Sequence, residues 1–313
     1  MIVVFTKVLE IFAILAIGCG ANKKGILPSQ ASPYLVNLLL VITSPCLIVT
    51  SIASKELTQD TFRETMYVFA ANAVFFAVGA LAAMLLMKVL KIEPKEDRGV
   101  LSVLMCSVNS GFMGFPITLM IFGQEGLYYM VLCNIVLTFY LYSIAFVQIG
   151  NSGGKRTFRE AVKPMFNLCI LSAIIGVFLL FTGIKIPDAL FELMEMVGDA
   201  TIPLAMIIVG MLFADSDIKS MIRDRNLLKV TFFSMAVWPA VTFGVMYFIP
   251  MPAMPKAIVI FSSAFPSAAV VPALAQQQGK NAKLAAQGVS LTTLVSMITI
   301  PVMAIILISV YNL

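Results

Sequence analysis

Histidine is absent from the 313 residues. That absence removes an HExxH metalloprotease and any His-ligated haem or zinc site. The GxGD-type carboxylate motif of intramembrane aspartyl proteases is missing as well. No enzyme is therefore expected, and nothing in the sequence asks for a cofactor or a metal. Charge is scarce too: 12% of residues are Asp, Glu, Lys or Arg against 60% hydrophobic, too little polar surface to cover a soluble globule of this size. The five cysteines, Cys19, Cys46, Cys106, Cys133 and Cys169, lie in apolar stretches without CxxC spacing and are read as small hydrophobes. These absences leave an all-α integral membrane protein.

Apolar segments near the ~20 residues that cross a bilayer as a helix recur along the chain. They are read as ten spans at 2–21, 33–54, 66–90, 100–122, 126–149, 165–183, 190–213, 228–249, 257–277 and 284–310. "AIGC" at 16–19 looks like part of a lipoprotein cleavage box. The first segment is nevertheless read as a span, because no basic residue precedes Lys7. Of the 21 Lys and Arg, Lys7 lies in that span, four (Lys55, Arg63, Lys185, Lys256) lie in even connections, and the other 16 lie in odd ones. The positive-inside rule then predicts a multi-pass cell-membrane protein with both termini outside the cytoplasm. The net charge of +5 is mostly that cytoplasmic excess, so no nucleic-acid partner is expected; the lipid bilayer is.

Two stretches interrupt this apolar pattern. "CSVNSGFMGFPITLMIFG" at 106–123 carries Asn109, Ser110, Gly111, Gly114 and Pro116 in mid-span, and "FSSAFPSAAVVPALAQQQG" at 261–279 carries Pro266 and Pro272. An offset of 156 pairs Pro116 with Pro272, Ser107 with Ser263 and Gly123 with Gly279, and an offset of 158 pairs Pro45 with Pro203. The chain thus reads as two five-span halves, 1–150 and 165–313, joined by a cytoplasmic connection at 151–164. An odd number of spans per half makes the repeat inverted, the arrangement in which broken helices meet near the bilayer midplane at a transporter's site.

Backbone groups freed at a break cannot face lipid, where each costs several kcal/mol. Helix N-termini exposed there, with their N–H donors and partial positive charge, suit an anion such as a carboxylate. Ser263 and Ser267 share one face of the ninth span, and Asn134, Thr138 and Tyr142 form a stripe on the fifth. Such a stripe either lines the same cavity or ties helices together. Glu10, three residues after Lys7, and Asp199, on one face with Glu192 and Glu195, read as interfacial residues rather than coupling sites.

"NSGFMGFP" at 109–116, "SSAFPSAAVVPALAQQQG" at 262–279, the Pro45 and Pro203 spans and the five-plus-five layout resemble the auxin efflux carrier family in its short bacterial form, across essentially the whole chain. Bacterial members are similar to permeases for malate, malonate and related acids; plant members export indole-3-acetate. The resemblance implies a ten-helix fold like that of bile-acid sodium symporters and sodium/proton antiporters. Spans 1, 2, 6 and 7 would form a scaffold, and spans 3–5 and 8–10 a moving transport domain with crossing helices four and nine. It makes Pro116 and Pro272 the crossover prolines and Asn109 the substrate contact. Ser110, Gly111, Asn134, Thr138, Ser263, Pro266 and Ser267 complete the expected site. The expected function is secondary transport of a small organic anion, a mono- or dicarboxylate, with a homodimer through the scaffold helices. A sodium-coupled bile-acid-type symporter and a non-transporting ligand sensor are the alternatives.

Overall fold

The computed structural model of the chain describes residues 2–150, 168–214 and 218–313; the connection expected at 151–164 lies outside them. Among the described residues every regular element is helical. Among the described residues six segments are long and apolar enough to cross a membrane: Ser29–Ala53, Gln59–Val89, Lys95–Gly150, Asp188–Ala214, Arg225–Tyr247 and Ala282–Tyr311. Leu168–Thr182 and Ala253–Ser263 are shorter apolar helices, and α1 runs over Ile2–Lys23.

Lys95–Gly150 spans 56 residues, far more than one crossing needs. It folds back on itself at Gly123, whose φ of 67° and ψ of −166° leave the helical region. A straight helix would put Ser110 and Asn134 about 36 Å apart. Instead Ser110 Oγ donates to Asn134 Oδ1 at 2.7 Å, and a Cβ on Gly114 would lie 3.2 Å from Met130 Sδ. The two arms are antiparallel.

Proline and polar caps shape the ends of these helices. Wide, π-type turns at Leu39–Thr43, Ser110–Gly114 and Phe233–Val237 are each followed two residues later by proline: Pro45, Pro116 and Pro239. A proline has no N–H for the carbonyl four residues back, and its ring collides with that carbonyl; opening the turn around it removes the clash. Thr58 caps Gln59–Val89 by accepting from Thr61 N–H at 3.0 Å, Asp224 caps Arg225–Phe232, and Asn281 caps Ala282–Tyr311. These caps satisfy first-turn donors that otherwise lack partners.

α1 packs along Thr201–Ala214, and Ser44–Ala53 packs on both Leu168–Thr182 and Asp188–Asp199. Small residues make the first contact possible. A Cβ on Gly18 would strike the Ile207 carbonyl, and one on Gly210 would strike the Leu15 carbonyl and reach 2.8 Å from Cys19 N. Backbone meets backbone there, the packing mode that small residues allow between membrane helices. The remaining helices gather around 98–140 and 253–311.

The third and seventh connections come together at one end. Lys229 Nζ donates to Leu90 O at 3.1 Å, Asn226 Nδ2 to Glu93 O at 2.7 Å, and Arg98 pairs with Glu93 at 3.1 Å. At the opposite end Lys55 pairs with Glu125 at 3.5 Å and stands over the Tyr128 and Tyr129 rings, while Tyr129 OH donates to Glu64. The five cysteines are free, and buried Cys133 Sγ accepts from Asn72 Nδ2 at 3.1 Å.

Candidate functional site

Two interruptions of the helical backbone face each other. The helix Arg98–Cys106 stops at Ser107, whose φ of −73° and ψ of 152° are extended, and helical structure resumes at Ser110. The helix Ala253–Ser263 stops at Ala264, and the next, Val271–Gln277, follows after seven residues, 264–270. Asn109 N–H donates to Pro266 O at 2.7 Å, Ala268 N–H to Ser107 Oγ at 3.2 Å, and Ser267 Oγ to Leu104 O at 2.6 Å. Ser267 N–H is taken by Thr292 Oγ1 at 3.1 Å. Each break therefore supplies the partners that the other lacks. This is what a low-dielectric interior demands of unpaired backbone groups.

Beside the two breaks is a cavity of about 600 Å³, within the roughly 300–1,000 Å³ of small-molecule sites. One wall belongs to 29–53 and 201–214 and, apart from Ser32, is apolar: Val36, Leu40, Ile208, Leu212 and Phe213. The facing wall is the helix Ala282–Tyr311, which contributes Lys283, Gln287, Ser290 and Thr293. Their spacings of four, three and three keep them on one helical face. Asn109, Phe112, Val270 and Pro272 close the inner side. None of the described lining residues is acidic, and Lys283 is their one cation.

Asn109 is 4% exposed and does two things. Its Oδ1 accepts from Phe112 N–H at 3.3 Å, capping the turn Ser110–Gly114, whose Gly114 N–H bonds the Asn109 carbonyl at 3.0 Å. Its Nδ2 bonds none of the described residues, and Asn109 borders the cavity. An amide donor is thus held rigidly at the cavity wall by its own cap.

Of the ten residues that the sequence nominates, Asn109 and Pro272 border the cavity. The others surround the breaks. Ser110 bonds Asn134, Gly111 comes within 3.7 Å of Asn134 Oδ1 once a Cβ is built on it, and Thr138 Oγ1 bonds Asn134 O at 2.9 Å. Ser263 Oγ turns back to Ile260 O at 2.6 Å, Ser267 spans to Leu104, and Pro266 lends its carbonyl to Asn109. Pro116 is the second residue of Phe115–Tyr140, after the wide turn, so helical structure restarts six residues before it; Pro272 does sit at the start of its helix, Val271–Gln277. Neither Glu10 nor Asp199 borders the cavity. The sequence reading passed over Lys283, Gln287, Ser290 and Thr293. The signal was available: their stripe on the last span is as regular as that of Asn134, Thr138 and Tyr142.

Comparison with known proteins places the chain among membrane transporters. The profile of the family described as membrane transport protein matches residues 3–304. An uncharacterized transporter of Methanocaldococcus jannaschii is 26% identical over 301 residues, 94% of this chain and 95% of the relative. An uncharacterized transporter of Methanothermobacter thermautotrophicus is 22% identical over 303 residues, 96% of this chain and 97% of the relative. The chain belongs to this family of membrane transport proteins, the auxin efflux carriers.

Proposed function

We infer that this membrane transport protein is a secondary carrier that moves a small organic anion, a mono- or dicarboxylate of auxin-like or malate/malonate-like kind, across the cell membrane by elevator-type alternating access. In this reading the chain crosses the membrane ten times as two inverted halves, with both termini outside. The interrupted segments at 98–122 and 253–277 are the crossing helices four and nine. The helices at 2–53 and 168–214 form the static scaffold, through which two copies pair, and the rest slides against it.

One observation carries the reading: two backbone breaks, far apart in sequence, bond each other and border one cavity whose opposite wall comes from 29–53 and 201–214. A site with one wall on each group of helices changes its access when one group slides past the other, which alternating access requires. Asn109 Nδ2 donates to the anion. Ser110, Gly111, Asn134 and Thr138 fix the turn behind Asn109, while Ser263, Pro266, Ser267 and Pro272 shape the facing break. The test is counterflow of radiolabelled malonate and indole-3-acetate in proteoliposomes, with and without sodium. Saturable uptake of either supports the carrier; binding without flux would make the chain a sensor, and flux only with sodium would make it a sodium symporter.

A further inference from the structure

The breaks hold each other through Asn109 N–H, Ala268 N–H and Ser267 Oγ, so these donors are not free for an anion, and attraction has to come from elsewhere in the cavity. We propose that Lys283, with Gln287 one turn further along, is an anion subsite at the mouth of the cavity that receives the carboxylate of an entering organic acid. This rests on the reading of the chain as an organic-anion carrier.

Three observations carry it. First, Lys283 borders the cavity and is the one cation among its described lining residues, none of which is acidic. Lys283 is exposed, and no described carboxylate stands within ion-pair distance of it. Four other described cations are engaged, Arg98 with Glu93, Lys229 with the Leu90 carbonyl, Lys55 with Glu125 and Lys256 over the Tyr311 ring; what sets Lys283 apart is its place at the cavity. Second, Lys283 stands in the first turn of Ala282–Tyr311, where the helix dipole disfavours a cation, so the stability of the helix does not account for it. Third, Lys283, Gln287, Ser290 and Thr293 form a polar ladder running inward about 15 Å along the helix. Opposite it stand hydrocarbon side chains such as Leu40, Ile208 and Leu212. An acid entering from the basic end would keep its charge on the ladder and its hydrocarbon on the far wall.

An anionic lipid headgroup offers the same chemistry, and the experiment separates the two. Full-length protein is placed in nanodiscs of phosphatidylcholine alone and of phosphatidylcholine with phosphatidylglycerol. Binding of phenylacetate and of its neutral isostere phenylacetamide is measured by calorimetry for wild type, Lys283→Gln and Lys283→Arg. The expected result in phosphatidylcholine is an approximately fivefold weakening of phenylacetate binding in Lys283→Gln, largely restored in Lys283→Arg, with phenylacetamide unaffected. Loss of a charge-assisted contact at a solvated mouth has about this size. Adding salt should erode the wild-type advantage. Equal phenylacetate affinity in wild type and Lys283→Gln overturns the subsite while leaving the carrier reading intact. So does an effect of Lys283→Gln confined to discs with phosphatidylglycerol, which would make Lys283 a headgroup anchor. Failure of wild type to bind or transport any of phenylacetate, malonate and indole-3-acetate sinks the carrier reading and the subsite together.

Discussion

In the proposed carrier Asn109 does two separable jobs, and a pair of substitutions tells them apart. Its Oδ1 caps Phe112 N–H, and its Nδ2 is the donor at the cavity. Asn109→Ala removes both. Losing the cap costs about 1 kcal/mol of stability, roughly 2 °C in melting temperature for a chain of this length. Losing a hydrogen bond to a charged ligand costs about 1.5–3 kcal/mol, a ten- to hundredfold fall in affinity. Asn109→Asp keeps a capping oxygen but replaces the Nδ2 donor with a carboxylate oxygen facing the anion. Asp is therefore expected to abolish flux and ligand-induced stabilisation in proteoliposome and thermal-shift assays, whereas Ala weakens both without removing them. Asn109→Asp with normal affinity for carboxylates would show that Nδ2 does not touch the cargo, and the site would have to be sought elsewhere.

Other outcomes follow from the same contacts. Single cysteines at Lys95 and Arg223 should resist an impermeant thiol reagent in intact cells and react after permeabilisation; labelling from outside would reverse the orientation. Gly210→Ala should destabilise by about 1–3 kcal/mol, because the new Cβ meets the backbone of α1. Gly244→Ala, with nothing within 4 Å, should be neutral or stabilising by up to ~1 kcal/mol in its helix; equal melting of the two variants would mean that the helices do not meet backbone to backbone. Pro116→Ala restores an N–H and lets the turn at Ser110–Gly114 tighten, so ligand binding should fall with stability unchanged or raised. Lost stability with an intact ligand shift would leave Pro116 a packing residue only.

Much of the local structure was legible because it follows from local chemistry. The run read as 66–90 is part of the helix Gln59–Val89, and the run read as 284–310 is Ala282–Tyr311. Helical backbone is interrupted at 107–109, which includes Asn109, and at 264–270, which includes Pro266. The site was less legible, because its walls come from segments up to 261 positions apart, Ser32 to Thr293, and no local pattern records which of them meet. Pro116 stands second in Phe115–Tyr140, behind a wide turn. Proline suits a helix start, but it is also accommodated by a wide turn ahead of it, and here the cap at Asn109 begins the helical segment. Lys283 was read through the positive-inside rule, which explains a cation at that end of the chain whether or not it also borders a cavity.

The mutual bonding of the breaks bears on how a carrier of this design would move. If freed N–H groups were the anion seat, an empty site would leave several buried donors unpaired, and the unloaded protein would bear a cost of several kcal/mol while crossing the bilayer. Here Asn109 N–H, Ser267 N–H and Ala268 N–H have protein partners with no ligand present. The two breaks can then travel as one rigid body, loaded or empty, and an empty return step is affordable in the proposed mechanism. The price of that self-sufficiency is a weaker intrinsic pull on anions, which leaves attraction to side-chain donors at the wall. Rigidity and affinity are thereby assigned to different atoms: the backbone of 104–109 and 266–268 to the first, Asn109 Nδ2 and the Lys283 ladder to the second. Replacing Ser107 by Ala, which removes the acceptor for Ala268 N–H, should consequently slow flux more than it weakens binding. Equal loss of both would mean that the breaks serve the ligand directly.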